Sequence, residues 1–170
     1  ESDKLPDINK KKAEEDVEVS LSERQSEAVT TALRRRVMVL TGGPGTGKTT
    51  TVRAVVAAFH GRDFKVALCA PTGRGARRLS EVTGENAHTI HRLLGYSPDD
   101  GEFQRDARRP IDADVVIVDE FSMVDTVLFG DLLAAVPRGA HLVLVGDADQ
   151  LPSVGPGGVL HDIIESGVAP

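Results

Sequence analysis

The chain has little that would suit it to an oxidising compartment or a bilayer. Cys69 is the single cysteine among 170 residues, so no internal disulfide can form and no cysteine cluster can hold a structural zinc ion. No apolar run approaches the ~18 residues that a membrane-spanning helix needs. The opening stretch ESDKLPDINKKKAEED has no apolar centre of the kind a secretory leader carries. These absences predict a cytoplasmic protein with no membrane partner. Tryptophan is missing, and one tyrosine with five phenylalanines makes up the whole aromatic complement. Stacking on nucleic-acid bases would therefore fall to Tyr96, Phe103 or another domain. Positive charge is scarce too, and a net charge of −6 taken alone argues against a general nucleic-acid binder. That scarcity is local. From Ile111 to the end ten acids face one base, Arg138, whereas Pro71 to Pro110 holds seven arginines against six acids. A strip able to hold a phosphate backbone thus precedes an acidic third able to handle a metal ion.

What is present is ordinary globular material, 40% apolar and 27% charged, in a length that suits one α/β domain. Residues 1–16 are rich in mixed charge and poor in large apolar groups, which predicts a linker or extension that cannot offset its ordering entropy. Its lysine triplet at 10–12 is followed by Glu14, Glu15 and Asp16, so a solvated face is favoured over a nucleic-acid patch. A first helix is expected at SERQSEAVTTAL, capped by Ser22, with Ala28, Val29 and Leu33 as its apolar stripe.

Strand and helix then alternate. VMVL at 37–40 is wholly apolar, as a strand buried on both faces should be. A helix is expected from Lys48 to about His60, ending at Gly61, then a strand at 65–70 and a helix at 75–82. VVIVDE at 115–120 is the third strand, with a helix expected from Ser122 to about Val136, stopped by Pro137. HLVLVGD at 141–147 is the fourth strand, and a last helix is expected over 158–165. Repeated strand–helix units with short connections imply a mostly parallel sheet with helices on both faces.

The chemistry begins directly after the first strand. GGPGTGKTT at 42–50 satisfies G-x-x-x-x-G-K-[ST] between a strand and a helix, the context that motif requires. Gly42, Gly43, Gly45 and Gly47 let backbone N–H groups turn inward around a phosphate, and the helix N-terminus points at the same anion. The ATP-binding candidates are Gly43, Pro44, Gly45, Thr46, Gly47, Lys48, Thr49 and Thr50. Lys48 is placed to reach the β- and γ-phosphates, and the Thr49 hydroxyl to ligate Mg²⁺. At the end of the third strand Asp119 would hold the metal's water shell, and Glu120 would polarise the attacking water. The fourth strand runs into GDADQLPSVGPGG. Its polar tip suggests the P-loop subclass in which an extra strand is inserted between the P-loop strand and the Asp-Glu strand. That arrangement places Asp147 and Gln150 near the γ-phosphate, with Gln150 sensing it or orienting water.

Two stretches are not explained by ATP. APTGRGARRL at 70–79 joins a proline, two glycines and three arginines at a strand end, which suits a phosphodiester chain. HTIHRLL at 88–94 sets His88, Thr89, His91 and Arg92 around an apolar turn, where for each histidine alone a packed or solvated side chain is the favoured reading. Beyond it, Ser97-Pro98-Asp99-Asp100-Gly101 is strong turn chemistry whose flanks can pair as a hairpin.

GGPGTGKTTT, APTGRGARRLSE, TIHRLL, VIVDEFSMVD and VLVGDADQLPSVGPG, in this order, resemble the first motor domain of RecD-type DNA helicases in superfamily 1B. The likeness runs from about residue 17 to 170 and is nearest the stand-alone RecD-like branch. Conjugative relaxase-helicases share several blocks. The resemblance implies a RecA-like fold and hydrolysis of ATP with Mg²⁺. It also implies 5′-to-3′ travel on single-stranded DNA, in recombination and repair. It assigns Gln25 to the adenine, Lys48, Asp119, Glu120 and Gln150 to catalysis and coupling, and Thr49 with Asp119 to the metal. Pro71, Thr72, Gly73, Arg74, Thr89 and His91 fall in its DNA-contacting blocks, and residues 95–110 occupy its pin-like hairpin insertion. Two positions depart from the pattern: Phe121, where a small residue is usual, and Gly75, which is expected to loosen the start of its helix. The resemblance further implies a second RecA-like domain supplying an arginine finger. The chain stops at Pro170, before any such region, so an incomplete motor is expected. Two other readings stand beside this one, an ATP-binding regulatory switch and a small-molecule kinase. The arginine-rich and TIHRLL blocks disfavour the first, and GDADQ after Glu120 disfavours the second.

Overall fold

Helix α1 (Glu23–Arg34) begins where the sequence places its cap. The Ser22 hydroxyl accepts from the Gln25 N–H at 3.3 Å, and Gln25 Oε1 accepts from the Ser22 N–H at 2.9 Å, a reciprocal capping box. In the computed structural model residues 21–43, 47–147, 163 and 166 are described. The chain continues through β1 (Val37–Thr41), α2 (Lys48–His60), β2 (Val66–Ala70), α3 (Gly73–Thr83), β3 (Ala87–Thr89) and the single turn α4 (Ile90–Leu93). A small antiparallel pair follows, β4 (Tyr96–Ser97) with β5 (Glu102–Phe103), and then β6 (Val115–Val118), α5 (Thr126–Ala135) and β7 (His141–Gly146).

The main sheet is all parallel in the order β1-β7-β6-β2-β3. The last strand among the described residues therefore lies between the P-loop strand and the Asp-Glu strand, as its polar tip suggests. Alternation along the central strands divides the interior in two. Val115 and Ile117 of β6 join Val143 and Val145 of β7 against Val29, Val55, Phe59 and Leu79 of α1–α3. Val116, Val118, Leu142 and Leu144 face the other way, onto Ile90, Phe121 and Leu132. Both faces are covered, so β6 and β7 read as unbroken apolar runs.

His141 is buried at the start of β7, with Nδ1 3.1 Å from the Ala32 carbonyl and 2.9 Å from that of Arg35. It thereby satisfies carbonyls at the end of α1 that have no partner inside the helix. Cys69 is fully buried on β2, and burial pushes its thiol up from 9.0 to about 12. Iodoacetamide at pH 8 is expected to label it only after denaturation, read by mass spectrometry. Above 9.0 the unfolded thiol ionises while the folded one holds its proton, so stability should fall as pH rises towards about 12. Labelling of the native chain at the rate of a free thiol would contradict this burial.

Four expectations need correction. β1 is covered less fully than expected: among the described residues it is an edge strand, and although Met38 and Leu40 pack into one core and Val39 into the other, Val37 is 40% exposed and Thr41 is exposed. The helix expected from Ser122 breaks in two, a 3-10 turn at Phe121–Met123 and then α5. Asp125 interrupts it, because its carboxylate accepts from the Leu128 N–H at 2.8 Å and so caps a new start. Helix α3 starts at Gly73 rather than Gly75 and is not loosened there. The Thr72 hydroxyl accepts from the Gly75 N–H at 3.0 Å, and Gly75 itself is buried. Finally β3, three residues without aliphatic alternation, adds an edge strand where only a turn is expected. The first-helix stripe holds, with Val29 and Leu33 buried and Ala28 packed beside them. Residues 1–20 lie outside the described residues, as does most of the helix expected over 158–165; Ile163 within it and Ser166 just past it are helical.

Candidate nucleotide and nucleic-acid site

Every candidate that the structure describes sits at the C-terminal ends of the parallel strands or on the helix that follows, apart from Gln25 on α1 and His91 in the turn α4. Open parallel sheets bind ligands at that edge. After β1 the chain turns through Gly42 and Gly43; Pro44, Gly45 and Thr46 lie outside the described residues. Gly47 closes the turn with φ +80° and caps α2. A side chain there would be strained by that angle and would also put Cβ 2.5 Å from Gln25 Nε2. Gln25 Nε2 donates to the Gly47 carbonyl at 3.2 Å. The proposed adenine residue is thus fastened at once to the helix cap and to the phosphate loop. Lys48 Nζ donates to the Gly146 carbonyl at 3.4 Å, which lays the lysine across the tip of β7.

β6 ends at Val118, and the two acids project past it. The Asp119 N–H donates to the Cys69 carbonyl at 2.9 Å, and Asp119 Oδ1 accepts from the Glu120 N–H at 2.8 Å. Glu120 then turns left-handed, with φ 51° and ψ 37°. For a residue with a side chain this costs ~1–3 kcal/mol, and such positions cluster at functional sites. Lys48, Thr49, Asp119, Glu120, Asp147 and Arg78 all line one pocket. Asp147 is buried there, while Gln150 lies outside the described residues. Among the described residues no three His, Cys, Asp or Glu side chains gather into a metal cage. Of the three carboxylates in the pocket, Asp119 together with the Thr49 hydroxyl suits Mg²⁺, which is bound through one or two carboxylates with substrate phosphate and water.

Arg78, exposed like Arg74 and Arg77, lines the pocket of the two acids, a place that the sequence reading does not give it. No sequence signal announces this, because it depends on α3 packing beside the Asp-Glu pair, where Gly75 abuts Glu120.

The other candidates gather next door. Ala70 of β2 is in register with Thr89 of β3, so the Pro71–Thr72–Gly73–Arg74 and Thr89–His91 blocks leave adjacent strand ends. Arg74 and Arg77 are exposed. The Thr89 hydroxyl caps α4 by accepting from the Arg92 N–H at 3.1 Å. His91 meets Tyr96 edge-on at 5.4 Å and Phe103 at 5.6 Å, while Tyr96 and Phe103 lie 5.3 Å apart. This aromatic group roots the β4–β5 hairpin, whose turn closes at Gly101 with φ +66°. Asp106, below the hairpin, accepts from the Arg109 and Arg108 N–H groups at 3.0 and 2.9 Å. Those bonds hold its carboxyl below the usual range. Among the described residues no helix is long and apolar enough to cross a membrane.

A family model described as an AAA domain matches residues 25–156. The chain is 52% identical over 137 residues to the ATP-dependent RecD2 DNA helicase of Deinococcus radiodurans, covering 81% of this chain and 19% of that protein. It is 43% identical over 167 residues to the RecBCD enzyme subunit RecD of Mycolicibacterium smegmatis, covering 84% of this chain and 30% of that one. Among solved structures, the Pif1 helicase from Candida albicans matches with a TM-score of 0.64 and 28% identity, over 81% of this chain and 34% of that chain. These matches bear out the RecD-type resemblance and the RecA-like α/β fold. The chain spans less than a third of the length of either RecD relative.

Proposed function

We propose that this chain, which belongs to the AAA domain family, is the ATP-hydrolysing first motor domain of a DNA helicase. The observation that carries the reading is the convergence of Lys48, Thr49, Asp119, Glu120 and Asp147 on one pocket at the strand ends. In this reading residues 17–170 form the motor unit and residues 95–110 its pin-like insertion. Lys48 and the α2 N-terminus bind the phosphates, and Gln25, set against the loop, meets the adenine. Thr49 and Asp119 would hold Mg²⁺, which shields phosphate charge when bound. Glu120 orients and deprotonates the attacking water. Gln150 couples the γ-phosphate to movement.

The single-stranded DNA path runs over Pro71, Thr72, Gly73, Arg74, Thr89 and His91, one strand pair away from the pocket. Nucleotide on β1, β7 and β6 and phosphodiester on β2 and β3 would share one sheet edge, which is what coupling requires. Travel from 5′ to 3′ is the direction that the resemblance implies. A second RecA-like domain of the same protein would complete the nucleotide site with its arginine finger, an addition worth ~10³ to 10⁵ in rate for related hydrolases.

Binding of a fluorescent ATP analogue and ATP turnover with and without oligo-dT test this reading. Lys48→Ala is expected to weaken nucleotide binding ~10- to 100-fold, the worth of charged hydrogen bonds to phosphate. Oligo-dT should bind in a salt-sensitive manner. Nucleotide binding indifferent to Lys48→Ala would overturn the assignment. Nucleotide binding without any oligo-dT binding would point instead to a regulatory switch.

A further inference from the structure

The catalytic carboxylate is seated against a turn that belongs to the other half of the site. The Thr72 hydroxyl lies 3.5 Å from Glu120 Oε2, while its oxygen accepts from the Gly75 N–H at 3.0 Å. With its lone pair given to the helix, its own hydrogen is directed at the carboxylate. The same carboxylate fills the space over Gly75. A methyl group there would overlap Glu120 Oε2, and its Cδ would lie 2.9 Å away. Glu120 reaches this seat through its left-handed backbone, which turns the side chain back from the end of β6 toward α3. Three independent features therefore converge on one carboxylate: a strained φ, a missing Cβ and a directed hydroxyl.

Building on the reading of Glu120 above, we infer that Thr72 is a positioning residue for Glu120, and that Gly75 is glycine to admit its carboxylate. Thr72 also lies in the block assigned to the phosphodiester path. A backbone docked at 71–74 acts on the same hydroxyl that holds Glu120, and this makes the first turn of α3 a mechanical link between DNA occupancy and water activation. At 3.5 Å the hydrogen bond is long. Catalytic hydrogen bonds characteristically shorten only in the reacting complex.

The test separates capping from donation. Thr72→Ser keeps the helix cap and the donor; Thr72→Gly keeps a competent cap position without a hydroxyl and adds no charge beside Glu120; Thr72→Val has neither. Hydrolysis is measured in single-turnover mode, with protein in excess over radiolabelled ATP, so that a slow site is still readable. Fluorescent-ATP affinity and melting temperature are followed in parallel, with Lys48→Ala and Glu120→Gln as references. The expected result is a rate restored close to wild type by Thr72→Ser and a loss of at least ~5-fold for Thr72→Gly and Thr72→Val. Melting temperature should fall for Thr72→Val alone, with nucleotide affinity within ~2-fold throughout. A rate that tracks the cap, with Thr72→Gly hydrolysing like wild type, overturns the inference. If Lys48→Ala and Glu120→Gln also hydrolyse like wild type, the nucleotide-site reading falls first and this inference with it.

Discussion

Glu120→Gln is expected to leave ATP bound and to slow its hydrolysis ~10²- to 10⁴-fold, the usual worth of a positioned general base. The substitution is nearly isosteric. Glutamine keeps an oxygen to accept from Thr72, fits the same space over Gly75 and follows the same left-handed backbone. What it loses is the charge that attracts a water proton. Lys48, Thr49 and the α2 N-terminus are untouched, so affinity should stay within a few-fold of wild type. Asp119 keeps its bond from the residue-120 N–H, which is a backbone group. Binding by fluorescent nucleotide and single-turnover hydrolysis read the two quantities separately. A rate within ~3-fold of wild type, with binding intact, would assign the base to another residue, and Asp147 in the same pocket would be the next candidate.

The phosphate side of this site was legible because its chemistry is local in sequence. Loop glycines, Lys48 and Thr49 sit within one strand–turn–helix, and the Asp-Glu pair ends an apolar run that can only be a buried strand. Sheet order was legible for a related reason: a fourth strand with a polar tip needs a place beside the phosphates, and the gap between β1 and β6 supplies it. The seat of Glu120 was not legible. It depends on a left-handed turn at a residue with no sequence preference for it, and on a contact with Thr72 across 48 positions. Gly75 illustrates the difference. By propensity it weakens a helix, and only the packed structure reveals that the missing methyl makes room for a carboxylate. The pocket position of Arg78 was not legible either, because charge patterning identifies a basic helix face without saying which of its residues reach the acids. The exposure of Val37 followed from edge position, which an apolar run cannot announce.

Phe121→Ala should cost ~3–5 kcal/mol of stability, the range for deleting a buried phenyl ring. Phe121 is fully buried, with its ring 5.1 Å from that of Phe129 in an edge-on pair. It belongs to the core that β6 and β7 share with Leu132 and Val124. Against a typical total of ~5–15 kcal/mol, that loss is large enough to leave a measurable unfolded fraction on mild heating. Urea denaturation followed by circular dichroism would read it, and Phe121→Leu should retain most of the stability because it fills much of the same space. The position explains why a large side chain is tolerated directly after the Asp-Glu pair. The 3-10 turn at Phe121–Met123 aims the ring into the apolar face below the sheet, while the Glu120 backbone turns the preceding carboxylate above its edge. Anchoring one residue thereby fixes the direction of the other. Phe121→Ala should for that reason also slow hydrolysis at temperatures where the chain remains folded, with Phe121→Leu close to wild type. A stability loss below ~1 kcal/mol would mean that the ring's neighbours collapse into the gap, and the link between this anchor and Glu120 would be lost with it.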